Sequence, residues 1–335
     1  MKAPFRFVYF SVSMAAAWLI SHAPTTLAQP AAETGLAATQ DPAADTQIRY
    51  ETVNIDGIDV FYREAGSAHS PVLLLLHGFP ASSFMYRDLI GRLSDRFRVI
   101  APDYPGFGYS DAPSVNDFAY TFDHLADIIE EFTHRIGIEK YSIYMQDFGG
   151  PVGFRLATRA PQRVTSLIIQ NANAYEEGLP DSFWTTARTL WRDPSTENYA
   201  KRRDAALSDD ALEWNYTHGV TNSKAINPDS WVLQRALLNR PGNKDAMLAL
   251  LYDYRTNLGR YSEWHEYFRE HQPPTLIVWG KNDVIFPAPG ARAYLRDLPG
   301  AELHLLDTGH FALEDHVEEI AGLMRLFFER QEPLR

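Results

Sequence analysis

Asp147 stands where an apolar segment meets a glycine turn, and its residue type limits the chemistry that this place can support. The chain reads Tyr141-Ser-Ile-Tyr-Met-Gln-Asp-Phe-Gly-Gly150. A carboxylate is ionised at neutral pH and attacks without a base, whereas a serine hydroxyl must first be deprotonated. It can therefore displace a leaving group from a saturated carbon and form an alkyl ester with the enzyme. The segment predicts a nucleophile for hydrolysis of a carbon–halogen bond or an epoxide carbon–oxygen bond.

Two residues further along the chain can complete a catalytic triad with Asp147. Asp283 follows the apolar run Thr275–Trp279, and His310 follows the run Leu303–Leu306. His310 is suited to activate a water molecule that attacks the ester, and Asp283 to hold the imidazole in the useful tautomer and stabilise its cation. The alternatives are a packed structural histidine and a turn aspartate. We favour catalytic roles for both residues.

The elements that must position these residues are short, largely apolar runs, of which Val72–Leu76 is unbroken. Val72–Leu76 stops at His77-Gly-Phe-Pro80, and Arg98-Val-Ile-Ala-Pro102 breaks into a glycine-rich loop. A further run, Val164–Gln170, follows the Asp147 turn. Runs without polar alternation are typical of parallel strands that are buried on both faces. The sequence therefore predicts an α/β protein with a mostly parallel central sheet.

These motifs, in this order, resemble the α/β-hydrolase superfamily, in the branch of haloalkane dehalogenases and epoxide hydrolases, which use an aspartate nucleophile. The resemblance extends from about Tyr50 to Phe328 and is weakest in the middle. It implies helices on both faces of the sheet, a helical cap, and the chain order nucleophile, acid, histidine. It also implies an oxyanion hole formed by the backbone N–H groups of Phe79 and Phe148, which would serve the hydrolysis of the ester.

A helical pattern interrupts the succession of strands and matches the position of that cap. We predict a first part of the core at 49–173, a helical cap at 174–272 and a second part of the core at 273–335. Five of the seven tryptophans fall in the cap, so some of them can line an apolar pocket. The predicted cap helices are Ser182–Trp191, Asn198–Ala206, Asp209–Tyr216, Asp229–Leu238 and Asn243–Leu258.

The choice between a haloalkane and an epoxide as substrate depends on which hydrogen-bond donors the site offers to the leaving atom. In haloalkane dehalogenases a tryptophan follows the nucleophile and its indole N–H binds the halide, whereas this chain has Phe148. A buried halide without hydrogen bonds is heavily penalised. Trp184 or Trp191 of the cap can supply one donor, but not the usual pair. This difference disfavours ordinary dehalogenation.

Epoxide opening instead needs a proton donor to the ring oxygen, which cap tyrosines provide in epoxide hydrolases. The segment Tyr252-Asp-Tyr254-Arg-Thr-Asn257 resembles the family segment that carries such a tyrosine, which implies that Tyr254 is the donor. A Tyr-Arg pair also occurs here in relatives with other activities. We therefore expect an epoxide hydrolase-like enzyme that acts on a small apolar substrate with water. A haloalkane dehalogenase-like enzyme is the alternative, and a non-catalytic ligand-binding homologue is less favoured.

The composition and the N-terminal segment bound the remaining possibilities. Lys2 and Arg6, an apolar run and the small residues before Gln29 predict a cleavable signal peptide at 1–28, hence a periplasmic or secreted protein. An aperiodic, polar segment at 29–48 predicts a disordered linker. The net charge of −12 argues against nucleic acid as a partner, and the apolar run is short for stable membrane insertion. The histidines show no metal-ligand spacing, so we expect no metal, and the expected reaction requires no cofactor because water is the second substrate.

Overall fold

One eight-stranded sheet forms the centre of the computed structural model, which describes residues 46–331. The predicted signal peptide and residues 29–45 of the predicted linker lie outside this range, so the expectations about export and disorder stay predictions. The strands are β1 (Arg49–Ile55), β2 (Ile58–Ala65), β3 (Val72–Leu76), β4 (Arg98–Pro102), β5 (Tyr141–Gln146), β6 (Val164–Gln170), β7 (Thr275–Gly280) and β8 (Glu302–Leu306).

The sheet is mostly parallel, as the apolar runs predict. Its spatial order is β1-β2-β4-β3-β5-β6-β7-β8. The strand pairs from β4 to β8 are parallel, whereas β1 pairs antiparallel with β2, and β2 antiparallel with β4. The six residues of β5 and the six of β7 are all buried. Burial on both faces is the reason that these strands are recognisable as largely apolar runs.

Helices cover both faces of the sheet. Alternate residues of β3 show the two faces, because Leu74 and Leu76 join one apolar cluster while Leu73 and Leu75 join another. The α-helices of the described residues are α1 (Arg87–Leu93), α2 (Phe122–Arg135), α3 (Gly149–Arg159), α4 (Asp181–Arg192), α5 (Thr196–Leu207), α6 (Asp209–Thr217), α7 (Asp229–Leu238), α8 (Asn243–Asp253), α9 (Arg255–Leu258), α10 (Tyr261–His271), α11 (Ala288–Ala293) and α12 (Leu313–Gln331). None of these helices is long and apolar enough to cross a bilayer.

Seven helices, α4 to α10, stand between β6 and β7, where the sequence predicts the cap. The first four have the predicted positions to within two residues. The predicted helix Asn243–Leu258 is divided after Asp253 into α8 and α9. The last helix, α10, packs on α3 of the core, since Trp264 and Phe268 both contact Phe154. The predicted cap range therefore includes one helix that packs on a helix of the core.

A buried ion pair joins α1 and α12 of the core to α7 of the predicted cap. The guanidinium of Arg87 in α1 donates to both carboxylate oxygens of Glu314 in α12, at 3.2 and 2.7 Å. The hydroxyl of Ser230 in α7 donates to the same carboxylate at 2.7 Å. The Glu314 side chain is only 2% exposed. Its charge is therefore stabilised by these donors rather than by water.

We expect Arg87→Met to lower the free energy of unfolding by about 3 kcal/mol or more, because it leaves the Glu314 charge buried without its main partner. Arg92→Met is the matched control, since Arg92 also joins α1 to α12 but pairs with the exposed Glu318. The control should change stability little. Urea unfolding followed by circular dichroism measures both variants. Equal losses would show that burial of the pair does not matter.

Candidate active site

Asp147 occupies a sharp turn between β5 and α3. Its φ angle is +48°, in the left-handed region that residues with a Cβ seldom adopt. Such a conformation costs about 1–3 kcal/mol and is typical of functional turns. The backbone N–H of Asp147 donates to the carbonyl oxygen of Asn171 at 3.3 Å. The turn therefore projects the carboxylate beyond the carboxyl end of β5 and away from the sheet hydrogen bonds.

Two glycines permit the close approach of this turn to the loop after β3. A Cβ on Gly149 would lie 2.0 Å from the carbonyl oxygen of Leu76. A Cβ on Gly78 would lie 2.3 Å from the Cβ of Asp147. Neither contact is sterically possible without a shift of the backbone. The glycines at these positions therefore allow the Phe79 amide to reach the Asp147 side chain.

The Asp147 carboxylate is buried and has a distinct environment for each oxygen. Its Oδ1 accepts a hydrogen bond from the backbone N–H of Phe79 at 2.7 Å, and its Oδ2 lies 3.7 Å from Nε2 of His310. Burial raises the pKa of Asp147 to about 6, while His310 and the backbone N–H groups of Phe79 and Phe148 oppose this rise. The carboxylate is therefore mostly ionised at neutral pH.

His310 is held by Asp283 on the side away from Asp147. The Nδ1 of His310 lies 2.7 Å from Oδ2 of Asp283. Burial lowers the pKa of His310, but the charge and hydrogen bond of Asp283, together with Asp147, outweigh it, so that the net shift is upward. Asp283 in turn accepts hydrogen bonds from the Asn171 side-chain amide and the Ile285 backbone N–H, both at 2.8 Å. The three predicted triad residues are thus brought together in the predicted order.

The amide of Gln146 occupies the remaining nitrogen of His310. Gln146 Nε2 lies 2.9 Å from His310 Nε2, which accepts this hydrogen bond when the imidazole is neutral with its proton on Nδ1. The same nitrogen faces Asp147. A water molecule that is to be activated by His310 must therefore displace or share this contact.

A cavity of about 380 Å³ opens above Asp147 and His310. Its size is within the range of small-molecule sites. Most of the wall is apolar, and α5 and α6 add an arginine, an aspartate and an asparagine. The lining residues are Phe79, Asp147, Phe148, Phe183, Trp184, Arg202, Ala205, Ala206, Asp210, Ala211, Trp214, Asn215, Leu251, Ile285 and His310.

The two tryptophans predicted to bind substrate have indole N–H groups that are already engaged. Trp184 lines the cavity, but its Nε1 donates to the carbonyl oxygen of Ile285 at 2.9 Å. Trp191 is not among the lining residues, and its Nε1 donates to the carbonyl oxygen of Leu251 at 3.3 Å. Backbone acceptors therefore hold both donors away from a ligand. Trp184 offers the cavity an apolar ring face only.

Tyr254, the predicted ring-opening donor, lies beside the cavity wall rather than on it. Its ring packs against Trp184 and Phe148, at centroid separations of 4.9 and 6.0 Å. The hydroxyl is buried, and burial together with the neighbouring Tyr261 hydroxyl raises the pKa of Tyr254 well above the ordinary value. Phe148 and Trp184 line the cavity, whereas Tyr254 does not. The position of Tyr254 thus gives no support to the predicted role.

Three polar residues of the site were not predicted from the sequence. Gln146 and Asn171 contact the triad, and each is the end of a strand or the residue after it, a position that signals a site only once the strands are placed. Arg202 lines the cavity from α5. It stands between Lys201 and Arg203, and such a charge cluster is typical of a solvated helix face. Within residues 46–331 no cluster of three or more metal-binding side chains is present.

Comparison with known proteins places these observations in a family. The family described as alpha/beta hydrolase fold matches residues 71–317. An uncharacterized hydrolase of Saccharomyces cerevisiae is 41% identical over 276 residues, which are 82% of this chain and 94% of the yeast protein. Haloalkane dehalogenase 2 of Mycobacterium tuberculosis is 29% identical over 276 residues, covering 78% of this chain and 89% of that protein. Epoxide hydrolase 3 of Xenopus tropicalis is 27% identical over 299 residues, covering 86% of this chain and 79% of that protein.

Solved structures show the same fold. The crystal structure of haloalkane dehalogenase DbeA from Bradyrhizobium elkani superposes with a TM-score of 0.70 at 22% identity, covering 85% of this chain and 100% of that chain. The sheet order and the family match agree with the fold predicted from the apolar runs. The chain is a hydrolase that belongs to the α/β-hydrolase fold family, in the branch that includes haloalkane dehalogenases and epoxide hydrolases.

Proposed function

We propose that the protein hydrolyses a small electrophilic substrate through an alkyl ester on Asp147. The observation that carries this proposal is the environment of the Asp147 carboxylate, with Oδ1 bound by the Phe79 N–H and Oδ2 directed at His310. A carboxylate that served only to brace the backbone would not border the cavity. The arrangement supports nucleophilic attack by Oδ2, which lacks the backbone donor.

In the first step, Oδ2 of Asp147 attacks a saturated carbon of the substrate. A carbon–oxygen bond forms, and the bond from that carbon to the leaving atom breaks and gives its electron pair to that atom. The negative charge passes from Asp147 to the leaving group. The Phe79 N–H remains on Oδ1, which becomes the carbonyl oxygen of the ester.

In the second step, His310 removes a proton from water at Nε2, and the hydroxide attacks Cγ of Asp147. Negative charge then develops on Oδ1, where the N–H groups of Phe79 and Phe148 stabilise it. Asp283 stabilises the imidazolium through the 2.7 Å contact with Nδ1. Collapse of the intermediate breaks the ester bond, and the proton on His310 passes to the oxygen of the departing alcohol.

An epoxide is the substrate class that we favour, and a haloalkane is the alternative. The oxygen of an opened epoxide stays attached to the substrate and can take a proton from water. A halide departs as a free anion and needs N–H donors, but those of Trp184 and Trp191 are donated to backbone carbonyl groups. A non-catalytic ligand-binding homologue is a third candidate, and it would bind without turnover.

Incubation of the protein with styrene oxide and with 1-bromobutane separates these candidates. We expect diol from styrene oxide, measured by chromatography, and less halide from 1-bromobutane, measured with a halide electrode. Asp147→Asn corrects both rates for spontaneous hydrolysis. Halide without diol would reverse the ranking, and ligand binding without either product would favour the non-catalytic candidate.

His310→Gln should stop the second step and leave the first, so that a covalent adduct accumulates. We expect turnover to fall about 10²–10⁴-fold, as for loss of a general base. Intact-protein mass spectrometry should show one substrate mass on this variant and none on Asp147→Asn, with peptide mapping placing it on Asp147. His304→Gln, on β8 and away from the cavity, is the control and should behave as the native protein. An adduct on another residue would refute the proposed nucleophile.

Formation of the ester should lose rate at acidic pH. Because burial raises the pKa of Asp147 to about 6, the ionised nucleophile predominates above that pH and becomes scarce below it. We expect the rate of adduct formation to be nearly constant from pH 7 to 8 and to fall about tenfold per unit well below pH 6. Rapid-quench measurements with styrene oxide test this expectation. A rate independent of pH between 5 and 8 would contradict attack by a carboxylate of raised pKa.

A further inference from the structure

Arg202 is a buried cation on the wall of the cavity that contains Asp147. Its side chain projects from α5, and the residue is only 7% exposed. Among residues 46–331, no carboxylate forms an ion pair with it, and its Nε has no hydrogen-bond partner. The neighbours on the chain differ, since Lys201 pairs with Glu197 at 2.6 Å and Arg203 with Asp245 at 2.7 Å on the protein surface.

The guanidinium of Arg202 keeps its charge despite this burial. Burial lowers its pKa to about 10, and Asp147 opposes the shift. An arginine with such a pKa is protonated at neutral pH. A buried charge without a hydrogen-bonded partner is heavily penalised, so it is normally paired. The site therefore contains a positive charge whose partner is not part of the described chain.

The two acidic residues of the cavity do not supply that partner. Asp147 is committed to the Phe79 N–H and faces His310. Asp210 lines the cavity from α6, but it is exposed and forms no ion pair with Arg202 within the described part of the chain. Asp147 acts on the guanidinium of Arg202 through its charge, but neither aspartate pairs with it at hydrogen-bond distance.

The timing of the reaction indicates which anion Arg202 accommodates. A neutral substrate would displace water from the guanidinium on binding and offer at most an uncharged acceptor, which leaves the buried charge without a counter-ion. A leaving anion forms only after bond cleavage, so it cannot repay that cost when the substrate binds. A carboxylate on the substrate can pair with Arg202 at once, and its two oxygens match the planar fork of a guanidinium.

We propose that Arg202 forms an anion-binding subsite and that the substrate carries a carboxylate beside its electrophilic carbon. This inference rests on the proposed function for the reaction itself, but binding at the subsite does not depend on Asp147 as the nucleophile. The substrate that we expect is therefore not entirely apolar: it has an apolar body and one anionic end. The remaining wall, formed by Phe183, Trp184 and Leu251 among others, accommodates the apolar part.

Calorimetric titration with butanoate and with 1-butanol, which do not react, tests the subsite alone. We expect butanoate to bind the native protein and Arg203→Gln alike, and Arg202→Gln at least tenfold more weakly. Arg202→Lys, which keeps the charge but not the fork, should recover part of the affinity. The binding of 1-butanol should be the same for all four proteins, and thermal unfolding confirms that each is folded. Equal butanoate affinities, or no butanoate binding to the native protein, would overturn the proposal.

Paired substrates extend the test to the reaction. The pairs are 2-bromopropanoate with 2-bromobutane, and oxirane-2-carboxylate with methyloxirane. We expect Arg202→Gln to raise KM at least tenfold for the charged member of a pair and to leave the neutral member unchanged. An equal fall of kcat for both members would mean that Arg202 acts on the leaving group, which overturns a carboxylate subsite. Butanoate binding that depends on Arg202, without any adduct on Asp147, would refute the proposed function and leave the subsite intact.

Discussion

The close approach of the loop after β3 to the turn after β5 is the constraint on which the site depends. Asp147 has a left-handed φ of +48°, its side chain leaves no room for a Cβ at Gly78, and the backbone of Leu76 leaves none at Gly149. This packing brings the Phe79 N–H to within 2.7 Å of the carboxylate. Without that donor, a buried carboxylate would be neutral over more of the pH range and a poorer nucleophile. The strain of the turn and the ionisation of the nucleophile thus have the same structural origin.

The parallel sheet then brings distant parts of the chain to this carboxylate. Gln146 ends β5, Asn171 follows β6, Asp283 lies after β7 and His310 after β8. Because these strands run in the same direction, their carboxyl ends meet at one edge of the sheet. A chain of hydrogen bonds runs from Asn171 through Asp283 to His310, so the imidazole is oriented by groups on the two strands before its own. Gln146 belongs to a strand, and the other three residues lie in the loops that directly follow a strand.

The sequence predicts the parts of the site that depend on local pattern and fails for those that depend on tertiary direction. Asp147, Asp283 and His310 are recognisable because each follows a largely apolar run, and the structure brings their side chains together. The sequence predicts Tyr254 as a donor to the substrate, but this residue lies between α8 and α9, where its ring packs against Trp184 behind the cavity wall. Arg202 has no local signal, since two charged neighbours give it the pattern of a solvated helix face. Only the packing of α5 against α4, α6 and α8 shows that it is buried.

The charges of the cavity also bear on how the reaction can proceed in a buried site. In the free protein, the negative charge of Asp147 partly offsets the positive charge of Arg202, as the upward influence of Asp147 on the pKa of Arg202 indicates. Esterification removes the charge of Asp147, and a departing group that leaves the cavity takes that charge with it. The positive charge of Arg202 would then have no nearby negative charge to offset it, while His310 becomes cationic in the second step. A carboxylate that remains on the bound alkyl group supplies a negative charge throughout this interval, so the anionic end of the substrate would stabilise the step in which the ester is hydrolysed.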